Sequence, residues 1–268
     1  MNLHVDVYGY AGADGSGAPL LLIHGWGMHG GMWKNVAEQL AQHFYVLAVD
    51  LPGHGHSVAR DSSRHSGDDG IDAIVDKLSA QFTEPLTLCG WSLGGQIALR
   101  WAQRQPQQVQ RLLLVATTPC FMQRPDWLCA MQAETLAEFD TALRENYAQT
   151  LRRFLALQVR GGEQERELLS TLRSALFSRG EPDLTALQSG LEILRECDLR
   201  AVLPDVKQDT LVIAGERDTL TPLLAAQYMA YHLPNAQLAE IKGAAHAPFL
   251  SHPEEFLKHV VNFVSGHG

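Results

Sequence analysis

Short apolar runs alternate with amphipathic stretches through much of the chain. Residues 20–24 (LLLIH), 44–49 (FYVLAV), 86–89 (LTLC), 112–116 (LLLVA) and 211–214 (LVIA) are apolar on both faces, and each leads into Gly, His, Asp or Thr. So short a run with no polar face predicts a strand buried on both sides of a parallel sheet. The segments 32–43, 70–81 and 94–105 can supply crossover helices between them. A further strand is expected at 236–242, with a helix after it. Alternating strands and helices predict a doubly wound, mostly parallel α/β sheet flanked by helices, with ligands at the carboxyl ends of its strands.

The rhythm breaks between Pro119 and about Leu203. No strand pattern occurs there, and periodic segments at 127–139, 141–158, 164–177 and 184–195 take over. Leu143, Tyr147, Leu151, Phe154 and Leu155 recur at helical spacing. An all-helical insertion between two core strands predicts a cap over the site. The expected division is a core of 1–118 and 204–268 and a cap of 119–203. Residues 62–70 (SSRHSGDDG) predict a flexible loop.

Composition narrows the function classes. The 268 residues are 46% hydrophobic and 19% charged, enough for one sizeable core. A net charge of −9 gives no global attraction to nucleic acid or anionic membrane, so neither partner is expected. Cys89, Cys120, Cys129 and Cys197 show no CxxC spacing and read as reduced thiols. The N-terminus lacks a signal-peptide pattern, and no apolar run approaches the roughly 20 residues that cross a bilayer. A cytoplasmic monomer is the expectation. Metal-ligand spacing, a GxGxxG after a strand and a Walker loop are all missing, so no metal or other cofactor is expected.

Gly90-Trp91-Ser92-Leu93-Gly94 fits G-x-S-x-G between an apolar run and a helical segment. That is the nucleophile elbow of the α/β-hydrolase fold, where a cramped turn lifts the serine hydroxyl above the sheet. The helix N-terminus behind it favours developing negative charge. His24-Gly25-Trp26-Gly27 follows the first apolar run, where the oxyanion hole is completed. The backbone N–H groups of Trp26 and Leu93 are the expected donors, and His24 reads as a support for the loop. A serine needs a base, and the base an orienting acid, in the chain order Ser, acid, His. Asp218 is the preferred acid, with Glu216 as rival. His246, among small residues in GAAHAPF, stands out from the twelve histidines; His252 is its competitor.

The chain resembles the pimeloyl-[acyl-carrier protein] methyl ester esterase family, carboxylesterases of the biotin pathway. The resemblance lies in LLIHGWGMHGGMW, VDLPGHGHS, GWSLGG, TPCF, RFLALQ, GLEIL followed by DLR, and AAHAPFLSHPEEF. These blocks span nearly the whole chain, and RFLALQ and GLEIL in the cap are the family-specific ones. The resemblance implies a serine carboxylesterase with Ser92, Asp218 and His246 as triad and Trp26 and Leu93 as oxyanion donors. It implies a pocket that includes Trp91 and Phe154 beside them. The implied substrate is a methyl-pimeloyl group on acyl carrier protein, freed of methanol through an acyl-enzyme on Ser92. Cap arginines are implied to hold the acidic carrier. Arg153 and Arg166 match that pattern, whereas Gln149 and Ser170 stand where it has arginine. Arg152 and Arg173 can substitute from the same region. The triad alone fits three rivals as well: a broad carboxylesterase for short-chain esters, a carbon–carbon bond hydrolase, and a non-enzymatic receptor on this fold.

Overall fold

The computed structural model describes residues 2–10, 19–57 and 70–266. The loop expected at 62–70 lies outside the described residues, apart from Gly70 at the start of a helix. The apolar runs form β2 (Leu20–Ile23), β3 (Val46–Val49), β4 (Leu86–Trp91), β5 (Val109–Val115) and β6 (Asp209–Gly215), with β7 (Ala236–Ile241) after them. Every residue of β2, β3 and β4 is buried. Each buried leucine contributes about 2 kcal/mol of apolar transfer, which is why these runs settle in the sheet centre. One further strand, β1 (Val5–Tyr8), pairs antiparallel with β3 and is half-buried.

The sheet order is β1-β3-β2-β4-β5-β6-β7, and every pair except β1–β3 is parallel. The chain steps outward from β2 to β3, then returns to the other flank of β2 with β4. This reversal opens a crevice beyond the carboxyl ends of β2 and β4, the place where such sheets bind ligands. Helices α1 (Lys34–Leu40), α2 (Ile71–Gln81) and α3 (Leu93–Arg104) connect the first strands.

Between β5 and β6 lie α4 (Ala133–Val159), α5 (Glu165–Leu176) and α6 (Leu184–Glu196). The segments expected as separate helices at 127–139 and 141–158 are joined in α4, which breaks at Asn146 (φ −154°, ψ 84°). The Asn146 carboxamide oxygen accepts from Gln149 N at 3.0 Å and so caps the second half. Residues 127–132 are not helical. Trp127 donates to Cys120 O at 2.8 Å and meets the Tyr228 ring edge-on, which ties this stretch to α7 (Leu223–His232). The chain closes with α8 (Pro248–Ser251) and α9 (Pro253–Val264).

Arg179, just past α5, fastens the helical segment to the sheet. Its guanidinium lies 3.2 Å from both oxygens of Asp50 and also pairs with Asp6. Asp50 is fully buried and accepts from the amides of Gly30 (2.6 Å) and His56 (2.8 Å). His29 adds a bond of 2.8 Å to Ala175 O. Removing one partner of a buried ion pair strands the other charge. Arg179→Met is therefore expected to lower unfolding free energy by about 3 kcal/mol in urea titrations at neutral pH. A loss below about 1 kcal/mol, typical of an exposed pair, would contradict this role.

Candidate active site

β4 ends at Trp91 and α3 begins at Leu93, so Ser92 alone makes the turn between them. Its backbone adopts φ 56°, ψ −119°, a region that costs a non-glycine residue about 1–3 kcal/mol. The turn is closed too tightly for side chains at its neighbours. A Cβ on Gly90 would come 2.2 Å from Gly94 O, and one on Gly94 would come 2.4 Å from Ile23 O. Ser92 N donates to Val115 O at 3.0 Å, while Ser92 O accepts from Gly95 N (2.9 Å) and Thr117 Oγ1 (2.6 Å). The Leu93 amide sits in the first turn of α3, where an N–H has no intrahelical acceptor.

The loop after β2 runs alongside. A methyl on Gly25 would lie 3.2 Å from Ser92 Cβ, which puts the adjoining Trp26 backbone beside the serine. The Trp26 indole reaches into the helical segment. It donates to Leu187 O at 2.8 Å and meets Phe154 edge-on at 4.9 Å between ring centres. Gly190 on α6 leaves room for it, since a methyl there would lie 2.6 Å from the indole.

Asp218 and His246 are brought together. His246 Nδ1 lies 2.8 Å from Asp218 Oδ2, and both side chains are only 1% exposed. Asp218 Oδ1 accepts from the amides of Leu220 (2.8 Å) and Thr221 (3.0 Å), and Oδ2 from Thr221 Oγ1 (2.6 Å). With its Nδ1 proton on Asp218, the imidazole keeps its Nε2 lone pair for a hydroxyl proton. Glu216 is exposed and accepts from Gly243 N at 2.9 Å, which braces the histidine loop. His252 precedes α9, with its ring 2.8 Å from Ser251 Oγ. Neither rival takes part in the Asp218–His246 pair.

The backbone of His246 is pinned on both sides. Its N–H donates to Gln158 O at 3.0 Å, and its carbonyl accepts from Trp91 Nε1 at 2.7 Å. The Trp91 side chain, expected in the pocket, is fully buried against Phe249, Trp33 and the His246 ring. It holds the histidine loop from behind. Phe154, by contrast, packs edge-on against the Trp26 ring.

A family model described as the alpha/beta hydrolase fold matches residues 18–253. A pimeloyl-[acyl-carrier protein] methyl ester esterase of Nitrosomonas europaea is 47% identical over 91% of this chain and 94% of its own length. One of the same name from Chromobacterium violaceum is 42% identical, over 96% of each. The chain belongs to this esterase family of the α/β-hydrolase fold. An esterase structure from Exiguobacterium antarcticum superposes with a TM-score of 0.83 over 98% of this chain and 95% of that one. At 22% identity that likeness shows the fold alone.

The arginines of α4 and α5 are where the sequence departs from the pattern that the resemblance implies. Arg152 and Arg153 on α4, and Arg166 and Arg173 on α5, are all exposed, as are Gln149 and Ser170. Residues 166, 170 and 173 share one face of α5, and 149, 152 and 153 share one face of α4. Arg173 thus stands on the stripe that Ser170 interrupts. Arg152 lies 5.7 Å over the Phe177 ring and Arg153 5.6 Å over Phe139. Among the described residues, none of these four arginines forms an ion pair within 4 Å of a carboxylate.

Three polar residues at the site escaped the sequence reading: Thr117, Thr221 and Gln158. The Gln158 side-chain oxygen is buried with no hydrogen-bond partner among the described residues. Only Thr221 left a signal, standing three residues after Asp218, where an aspartate oxygen reaches backbone N–H groups.

Buried histidines brace the neighbouring loops. His24 Nδ1–H donates to Gly25 O (2.8 Å), and its Nε2 accepts from Leu51 N (2.9 Å). Burial pushes the proton affinity of His24 well down, and that of His29 and His54 down. The folded chain keeps these rings neutral, while the unfolded chain takes up their protons below the ordinary value of 6.5. Their contribution is therefore full above that value and is lost as pH falls below it. Urea midpoints are expected to fall from about pH 7 to about pH 5, and His54→Gln is expected to flatten the slope. A flat profile in the native chain would contradict this.

Proposed function

We propose that this chain hydrolyses the methyl ester of pimeloyl-[acyl-carrier protein], releasing methanol and the carrier-bound acid for biotin synthesis. Membership of the esterase family, at 47% identity over 91% of the chain, carries the substrate. That span is too long to leave out the helical segment. The buried Asp218–His246 pair carries the chemistry. His246 Nε2 takes the Ser92 proton as Oγ attacks the ester carbonyl. The amides of Trp26 and Leu93 stabilise the oxyanion. As the tetrahedral intermediate collapses, His246 protonates the departing methoxide; methanol leaves, and the acyl group stays bonded to Ser92 Oγ. Water, deprotonated by His246, cleaves that acyl-enzyme and restores the serine. Trp26, Leu93 and Phe154 supply the apolar surroundings for the acyl chain. Residues 119–203 act as the cap, and core segments 1–118 and 204–268 carry the triad.

Arg153 and Arg166, with Arg152 and Arg173 in place of the arginines missing at Gln149 and Ser170, form the docking surface for the acidic carrier. Unpaired guanidinium forks suit the carboxylates of such a partner. The enzyme is read as a cytoplasmic monomer; its four unpaired thiols fit a reducing compartment. No helix among the described residues is long and apolar enough to cross a membrane.

The test compares pimeloyl-carrier methyl ester with free monomethyl pimelate, using wild type, Ser92→Ala and Arg153→Glu/Arg173→Glu. Ser92→Ala is expected to abolish turnover of both. The arginine reversal is expected to lower kcat/KM for the carrier ester by tenfold or more, on the order of 1.4 kcal/mol, with little change for the free ester. Equal use of both esters and an indifferent double variant would instead describe a general carboxylesterase.

A further inference from the structure

The acid of the site carries one more donor than orientation of the histidine requires. Two backbone amides hold Asp218 Oδ1, which already fixes the plane of the carboxylate. Oδ2 then receives both His246 Nδ1–H (2.8 Å) and the Thr221 hydroxyl (2.6 Å). The hydroxyl oxygen also stands 3.4 Å from His246 Nδ1, so acid, hydroxyl and ring form a closed triangle. Thr221 is buried, and its branched Cβ restricts χ1, which keeps the hydroxyl on Oδ2.

We infer that Thr221 is a positioning residue that sets how strongly Asp218 supports the protonated form of His246. The inference rests on the reading of Asp218 and His246 as acid and base for Ser92. A donor on Oδ2 draws part of the carboxylate charge toward itself and away from the ring. Without the hydroxyl, Oδ2 turns its full charge on the imidazolium. The ring then keeps its proton to higher pH, and the neutral base needed to activate Ser92 appears later along the pH axis.

The other groups around His246 are common to the variants compared. Trp91 of β4 and the Gln158 carbonyl of α4 hold its backbone. Charged groups along the same loop are Glu216 on Gly243 N, Glu163 beside Gly243, Arg217 paired with both, and His252 at 3.9 Å from Glu163. None of them changes when Thr221 is replaced, so a shift on replacement reports the hydroxyl.

The experiment measures kcat/KM against pH for a short-chain p-nitrophenyl ester with wild type, Thr221→Val, Thr221→Ala and Thr221→Ser. Two replacements guard against one that folds badly. The His246 ring is titrated in parallel by NMR in a Ser92→Ala background, which needs no turnover. Valine and alanine are expected to move the ascending limb and the ring titration up by about half a pH unit or more, and serine to restore both. Limbs and ring titrations that coincide in all four proteins would overturn the inference, even with lower plateaus. So would serine and alanine variants that shift alike while valine stays with the wild type, since that would assign the effect to the methyl group. Failure of the wild type to show Ser92-dependent turnover would instead sink the underlying reading of the site.

Discussion

The backbone at Ser92 is held in a conformation that a serine does not choose. At φ 56° and ψ −119° it turns the chain from β4 into α3 within one residue. A cost of about 1–3 kcal/mol persists only where the surroundings over-determine it. Here they do. The Ser92 amide is tied to β5 through Val115 O, and its carbonyl to Thr117 and Gly95. Gly90 and Gly94 permit backbone approaches that any Cβ would forbid. The reversal of strand order between β2 and β4 then brings the Gly25–Trp26 backbone to the same point. One strained turn thus brings Ser92 and the Gly25–Trp26 backbone together.

The histidine loop is fastened to both halves of the molecule. Trp91 links His246 to the strand that carries the serine, and Gln158 links it to the last turn of α4. The same helix presents Arg152 and Arg153 to solvent one to two turns earlier, and Phe154 to the Trp26 ring. Under the proposed function, one helix therefore meets the carrier on its outer face, the acyl chain on its inner face and the base at its end. Arg179 anchors the helical segment to Asp50, just past β3, so α4–α6 are seated rather than loosely draped.

Continuous apolar runs made the central strands legible, because a strand buried on both faces has no polar positions to confuse the pattern. β1 was not legible. It is a short, half-buried edge strand whose VDVY sequence has no buried run, and pairing with β3 creates it. The helical insertion was read correctly in kind, but not in its joints. Asn146 breaks α4 through a side-chain cap, and Trp127 docks residues 127–132, the start of an expected helix, as a loop. Ser92 and His246 stood out because glycine and small-residue contexts mark close backbone approach, and Asp218 because it follows a strand end in the order serine, acid, histidine. The contributions of Trp91, Thr117 and Arg179 depend on contacts with distant parts of the chain, and no local spacing encodes them.

The most direct measurement of the central claim is covalent labelling by a fluorophosphonate, read by intact mass and peptide mapping. The account expects one adduct, on the peptide carrying Ser92, and labelling slowed by about a thousandfold or more in Asp218→Asn. An adduct on another residue, or equally fast labelling without the Asp218 carboxylate, would contradict it.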